Sequence, residues 1–390
     1  MSTPVSPHPQ GSGRLAWLDA NRFLAALGVV LIHSTTDFGG QPFAASPPAE
    51  RIGPALIRSV AELSGAEMFL VFSLFLIAFK LERRNLGYGA TVGDQAKRLL
   101  IPFVVWTVFY AFFRLFKADT FGYGDAIMTE ISQWPSWVGY LLLGSAQYHL
   151  HFLPTLFFIV LLYPAMLAAV RYPVAGLAII PLIYVMDFVQ GWLWGHVSDP
   201  MWRDYLVRAV KIVCYLGYGL AAAACYGVWR RGVSRADAWH LFALFLFLTS
   251  IAFMATLIYA AQIIDTGQWG IRPGAASYGH LLMPVLVFTV FMTAQYASWS
   301  SRFSWLARFT FGIYLVHPIF IDLYDIALYR SGWSLSPTAM VLTKYVLATA
   351  AAFAFALLLS KIRSLAWLIG LGPVPLLPQK LTTAEAAKHA

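Results

Sequence analysis

Asp19, Arg22 and His33 lie inside the first apolar stretch of the chain, which begins at Trp17 and would run as a membrane span. Hydrocarbon solvates charge poorly, so an ionisable group inside a span needs a partner or a wet cavity and points to a site. Asp19 and Arg22 are spaced i, i+3 and can pair on one helical face. Ten residues separate Arg22 from His33. On a helix they stand roughly 16 Å apart along the axis and near the same azimuth. A neutral imidazole can take a proton from a hydroxyl, which makes His33 a candidate general base, with Arg22 a fixed cation on the same side. The plainer alternative is a self-neutralising Asp19–Arg22 pair at the membrane surface and a histidine bonded to a backbone carbonyl.

Other ionisable residues interrupt later apolar stretches. Glu67 opens the second, where a carboxylate needs a wet cavity or a cation. Lys97-Arg98 opens the third, either as a surface anchor or as a holder of phosphates, for which arginine offers paired donors. His149 and His151 flank Leu150 at the outer end of the fourth. His-x-His occurs in metal sites, but no neighbouring Cys, His or Asp completes a ligand set, so contact with substrate hydroxyls is favoured and no metal is expected. His317 sits mid-span before Pro318, which is expected to loosen the helix. Lys344 is expected to snorkel or pair, and Asp322 and Asp325 to lie at the interface. Cys214 and Cys225, eleven residues apart on one helix, cannot reach disulfide distance and are expected to pack.

The elements that must position these groups are helices. The 390 residues are 59% hydrophobic and only 12% charged, far from the balance of a soluble domain. Apolar runs near 16–36, 65–82, 99–117, 151–170, 173–190, 206–228, 239–262, 279–297, 306–328 and 338–360 predict an all-α polytopic membrane protein of about ten transmembrane helices with no soluble domain. Residues 15–364 form this membrane domain, and 1–14 and 365–390 read as disordered cytoplasmic tails. No cleavable signal peptide is evident.

Placing both termini in the cytoplasm puts the larger share of basic residues there, Arg14, Lys80, Arg84, Arg230 and Arg231 among them, while Arg51, Arg58, Arg114, Lys117 and Arg272 fall outside. That asymmetry accounts for most of the +9 net charge, and no basic patch with interleaved aromatics suggests nucleic acid. The longest non-membrane pieces, 38–64, 118–149, 191–205 and 265–278, carry Trp134, Trp137, Trp192, Trp194, Trp202 and Trp269, as interfacial anchors or as faces for stacking sugar rings.

Taken together the segments resemble the membrane-bound acyltransferase-3 family, which O-acylates bacterial polysaccharides, lipids and other acceptors. The resemblance rests on Leu18-Asp19-x-x-Arg22 followed by His33, Phe72-Ser73, Arg98-x-x-x-Pro102, His149-x-x-Phe152-Leu153, and Phe311-Gly312-Ile313-Tyr314-Leu315-x-His317-Pro318. Gln95 stands where the family often carries a first arginine before Arg98, and Leu74 follows Ser73 where glycine is usual.

The resemblance implies acetyl-CoA as donor, held through its phosphates by Arg98 and Lys97. His33 would act as general base on a hydroxyl of a surface or exopolysaccharide sugar, carried on a lipid. Arg22 and Asp19 would complete the catalytic set, and Glu67, Ser73, His149, His151, Tyr314 and His317 would contact substrate. Direct transfer and an acyl-histidine intermediate both remain open, as does acetyl against succinyl or a longer acyl group. The implied place is the bacterial inner membrane. The competing functions are a saccharide or lipid transporter without acyl chemistry and a scaffold in an export complex.

Overall fold

A computed structural model describes residues 15–83 and 87–374. Of the expected tails, residues 1–14 and 375–390 lie outside the described residues, as do Arg14 and Arg84, whereas the first part of the expected C-terminal tail is ordered in a 3-10 turn, Ala366–Ile369, with Ala366 and Ile369 buried. Within them the chain is helical and no strand occurs.

The helices are α1 (Ala16–Ser34), α2 (Pro48–Ala61), α3 (Glu67–Arg83), α4 (Tyr88–Phe121), α5 (Gly124–Ser132), α6 (Trp134–Leu142), α7 (Phe152–Leu161), α8 (Tyr163–Arg171), α9 (Ile179–His196), α10 (Pro200–Cys214), α11 (Leu216–Arg231), α12 (Arg235–Thr266), α13 (Gly274–Thr293), α14 (Arg302–Leu306), α15 (Thr310–Ser331) and α16 (Pro337–Lys361). Among the described residues nine helical segments are long and apolar enough to cross a membrane, and counting α7 and α8, bent by 67° to one another, as one span brings the number to ten. With the bent pair counted as one span, the end of α16 falls on the side from which α1 starts. That face is called the terminal side below, and the other the distal side.

Several expected boundaries shift for local reasons. The fourth span breaks at Leu162 because Pro164, in the first turn of α8, lacks the amide that would continue α7. The third span extends well beyond 99–117, placing Lys97 and Arg98 inside α4 rather than at its start. Much of the expected outer segment 38–64 is α2, an amphipathic helix whose Arg51 donates to the carbonyls of Phe43, Ala44, Ile264 and Asp265 and so ties it to the end of α12. Segment 118–149 is likewise mostly helical, in α5 and α6. Through Pro318, α15 runs unbroken.

Small residues set the tightest contacts. Gly219, Ala221, Ala224 and Gly227 give α11 a face that packs on α8 and the 3-10 turn after it, and Gly217 meets Ile179 at the start of α9, as expected where lipid supplies no hydrophobic drive and close approach must do so. Cys214 is buried and Cys225 partly so; both are free thiols. Before α7 the chain doubles back at Gly144, in the left-handed region at φ +70°, where a Cβ would meet the His151 Cα at 2.4 Å. That fold-back presents Tyr148, His149 and His151 to the interior.

Candidate active site

His33 ends α1 one residue before its last. Its ring stacks on His317 at 5.4 Å between centroids and lies 4.4 Å from Tyr148. Among the described residues no protein hydrogen bond engages either His33 nitrogen, and the ring is held by its faces. His149 packs 5.3 Å from His317, its carbonyl accepts from the Tyr314 hydroxyl, and both of its ring nitrogens are buried without a partner. Burial, with His317 and His33 close by, holds His149 well below the ordinary histidine value, and therefore neutral. Burial, reinforced by Arg208, lowers His151 to about 4. No three His, Cys, Asp or Glu side chains converge as metal ligands among the described residues.

Three cavities adjoin these rings in series. The first, about 310 Å³, lies toward the terminal side and is lined by Arg22, Ser73, Lys80, Gln95, Arg98 and Tyr314 among others. The second, about 170 Å³, is central and holds His33, Arg58, Glu62, Glu67, His149, His151, Arg272 and His280. The third, about 730 Å³, lies toward the distal side, with Lys117, Gln147, Tyr148, Trp269, Asp322 and Asp325 in its wall. Phe152 and Tyr314 line both the first and the second, and His33 and Arg58 line both the second and the third.

The expected residues therefore divide. Arg22, Ser73 and Arg98 meet in the first cavity; Glu67, His149 and His151 meet His33 in the second; Tyr314 stands between. His317 is fully buried behind His33. Asp19 pairs with Arg22 at 3.5 Å, the expected i, i+3 contact. Lys97 is exposed and stands outside the lining; Lys80, from the end of α3, supplies a basic group there beside Gln95 and Arg98. Of the outer tryptophans Trp269 lines the distal cavity, whereas Trp134, Trp192, Trp194 and Trp202 are exposed at the periphery, where interfacial anchors sit.

Two ionic clusters escaped the sequence. Glu62 accepts from Arg58 at 3.0 Å and from Arg272 at 2.7 and 3.0 Å, with His280 at 3.6 Å. The i, i+4 spacing of Arg58 and Glu62 was its only local signal. Asp322 and Asp325 correct the expectation of an interfacial position: they are buried at 3% and 1% exposure. Lys117 of α4 bonds both, at 2.9 and 2.8 Å, and Lys344 of α16 lies 2.7 Å from Asp325. Two lysines balance two carboxylates, which is what lets all four leave water. Lys344 also donates to the Thr36 carbonyl at 2.9 Å, and Gln147 to Asp322 at 3.2 Å. The network thus ties down both segments that carry the site rings.

Residues 15–361, nearly every described helix, match the family model for the acyltransferase domain of family 3. The chain belongs to the acyltransferase-3 family. This acyltransferase is an all-α, multi-pass membrane protein without a separate soluble domain among its described residues. Comparisons with curated proteins and with solved structures returned no match.

Proposed function

We propose that this acyltransferase moves an acetyl group from cytoplasmic acetyl-CoA to a hydroxyl of a lipid-linked surface or exopolysaccharide sugar, in the inner membrane of a bacterium with both termini in the cytoplasm. The observation that carries this is the position of His33. It borders the distal cavity on one side and, on the other, the small cavity that Phe152 and Tyr314 separate from the basic terminal-side cavity.

Arg22, Lys80 and Arg98 supply positive charge where the donor's phosphates would bind, Arg through paired donors. The pantetheine arm reaches past Tyr314 and delivers the thioester to the central cavity. The distal cavity suits a sugar: Asp322, Asp325, Gln147 and Lys117 can bond hydroxyls, while Tyr148 and Trp269 offer faces for stacking. Neutral His33 takes the hydroxyl proton as oxygen attacks the thioester carbon. A positioned base contributes typically about 10²–10⁴ in rate.

The test is transfer of label from acetyl-CoA in vesicles of the producing strain. Loss by about 10²–10⁴ in His33→Ala at normal membrane abundance is expected. Wild-type transfer in that variant overturns the role of His33, and saccharide movement without acetyl-CoA consumption establishes a transporter instead. Ester content in the surface polysaccharide of a deletion strain names the acceptor.

A further inference from the structure

We infer that Arg58 is the oxyanion donor of this transfer, its Nη2 hydrogen bonding the thioester carbonyl oxygen as negative charge builds there. The inference rests on the acyl transfer proposed above and adds a second catalytic residue to it.

Arg58 and His33 alone, among the described residues, line both the central and the distal cavity. The guanidinium is docked on the turn that bears His33, since Nη1 donates to the Ile32 carbonyl at 3.3 Å and to Thr35 Oγ1 at 3.2 Å. Its remaining contacts fix its plane. Nε donates to Glu62 at 3.0 Å, and the Trp269 ring covers it 4.2 Å away. Glu62 is itself held by Arg272. Arg58 and Arg272 share the Glu62 carboxylate, and Glu67 brings a second carboxylate to the wall of the central cavity. Nη2 has no acceptor among the described residues, and Arg58 borders open cavity. A donor already oriented toward a developing charge costs no reorganisation during reaction, which is the basis of oxyanion stabilisation.

The step balances as follows. The acceptor hydroxyl gives its proton to His33 and its oxygen bonds to the thioester carbon. The carbonyl π pair moves onto the carbonyl oxygen, where Arg58 Nη2–H donates to it. On collapse the C=O bond reforms and the C–S bond breaks, and the departing thiolate takes the proton from His33 to leave as CoA thiol.

The experiment measures acetyl transfer from labelled acetyl-CoA in vesicles of the producing strain, together with thiol release. Arg58→Gln is expected to lower kcat by about 10²–10³ while KM for acetyl-CoA stays within about twofold. Methylguanidinium is expected to restore Arg58→Ala by at least about tenfold. A purely structural brace predicts no such rescue. If Arg58→Gln does not accumulate in the membrane, Arg58→Lys replaces it, with an expected loss of at least about thirtyfold. A kcat within about threefold of wild type in the variant assayed, or a loss without rescue by methylguanidinium, overturns the inference. Full activity in His33→Ala instead removes the proposed function, so the two failures are distinguishable.

Discussion

The His317 imidazole donates from Nδ1 to the carbonyl oxygen of Tyr314 at 2.7 Å. The bond exists because Pro318 has no amide hydrogen to offer that carbonyl, four residues back in the helix. It fixes the tautomer: with Nδ1 protonated, His317 Nε2 is a bare lone pair, and it is buried without a partner. His33 stacks on this ring, so a fixed His317 gives His33 a fixed face.

Pro318→Ala returns an amide to compete for the Tyr314 carbonyl and should release the His317 ring. The expected result is a fall of about tenfold in acetyl transfer, within the range of a mispositioned base, with no loss of melting temperature. Unchanged turnover would show that His33 does not depend on the ring behind it.

Gln95 lines the terminal-side cavity beside Arg98. Replacing it with arginine adds a second forked donor where the donor's phosphates are proposed to bind. Charge-assisted bonds of this kind contribute about 1.5–3 kcal/mol each, so acetyl-CoA should bind about tenfold or more tightly to Gln95→Arg and correspondingly less tightly to Arg98→Ala. Lys97→Ala, at an exposed position, should leave affinity near wild type. Calorimetry on the purified protein reads all three, and an unmoved affinity in Arg98→Ala places the donor elsewhere.

Lys344 is completely buried against Asp325. Lys344→Met leaves the carboxylate with only Lys117, which Asp322 also claims, and should cost about 3–5 kcal/mol. Removing Asp325 as well, in Lys344→Met/Asp325→Leu, leaves Lys117 and Asp322 as a balanced pair and should be milder than the single change. Thermal unfolding in detergent measures both. A double variant less stable than the single would mean that the network is not held by charge balance.

His151 carries a folded-state value of about 4, against about 6.5 for an unfolded histidine. Between those values the unfolded chain binds more protons, so stability rises with pH there and is lost on acidification from about pH 6.5 toward about pH 4. His151→Gln removes this contribution, so its melting temperature should drop less than that of the wild type between pH 7 and pH 5. An equal drop would mean that His151 is not the group responsible.

Much of the fold is written locally. Spans announce themselves by length and apolarity, whereas the bend between α7 and α8 at Pro164 lies inside a run, 151–170, that reads as one continuous span. The site is legible only where one helix carries the pattern, as α1 does with Asp19, Arg22 and His33. Lys117, Asp322, Asp325 and Lys344 come from three helices, and nothing within any one of them says that their charges cancel. Arg58 looked like an ordinary distal-side cation because α2 read as loop, and only the fold brings it to the end of α1. Lys80 and Lys97 were likewise indistinguishable in sequence until α3 and α4 chose which one faces the cavity.

Phe152 and Tyr314 meet at 5.8 Å between ring centroids, edge to face, where the terminal-side and central cavities adjoin. Phe69 packs on both rings, at 6.1 and 6.0 Å. On the proposed donor path the acyl group passes this aromatic cluster, and the chamber beyond holds only about 170 Å³. Both features favour a short acyl chain. Truncating Phe152 to alanine enlarges passage and chamber together, so butyryl-CoA should gain relative to acetyl-CoA. Hydrophobic pockets discriminate by about 10–200-fold per methylene, so a shift of about tenfold in the ratio of kcat/KM values is expected. Tyr314→Phe, which keeps the ring and loses only its hydrogen bond to the His149 carbonyl, should leave that ratio nearly unchanged while lowering turnover. If Phe152→Ala keeps the wild-type preference, chain length is selected elsewhere along the path.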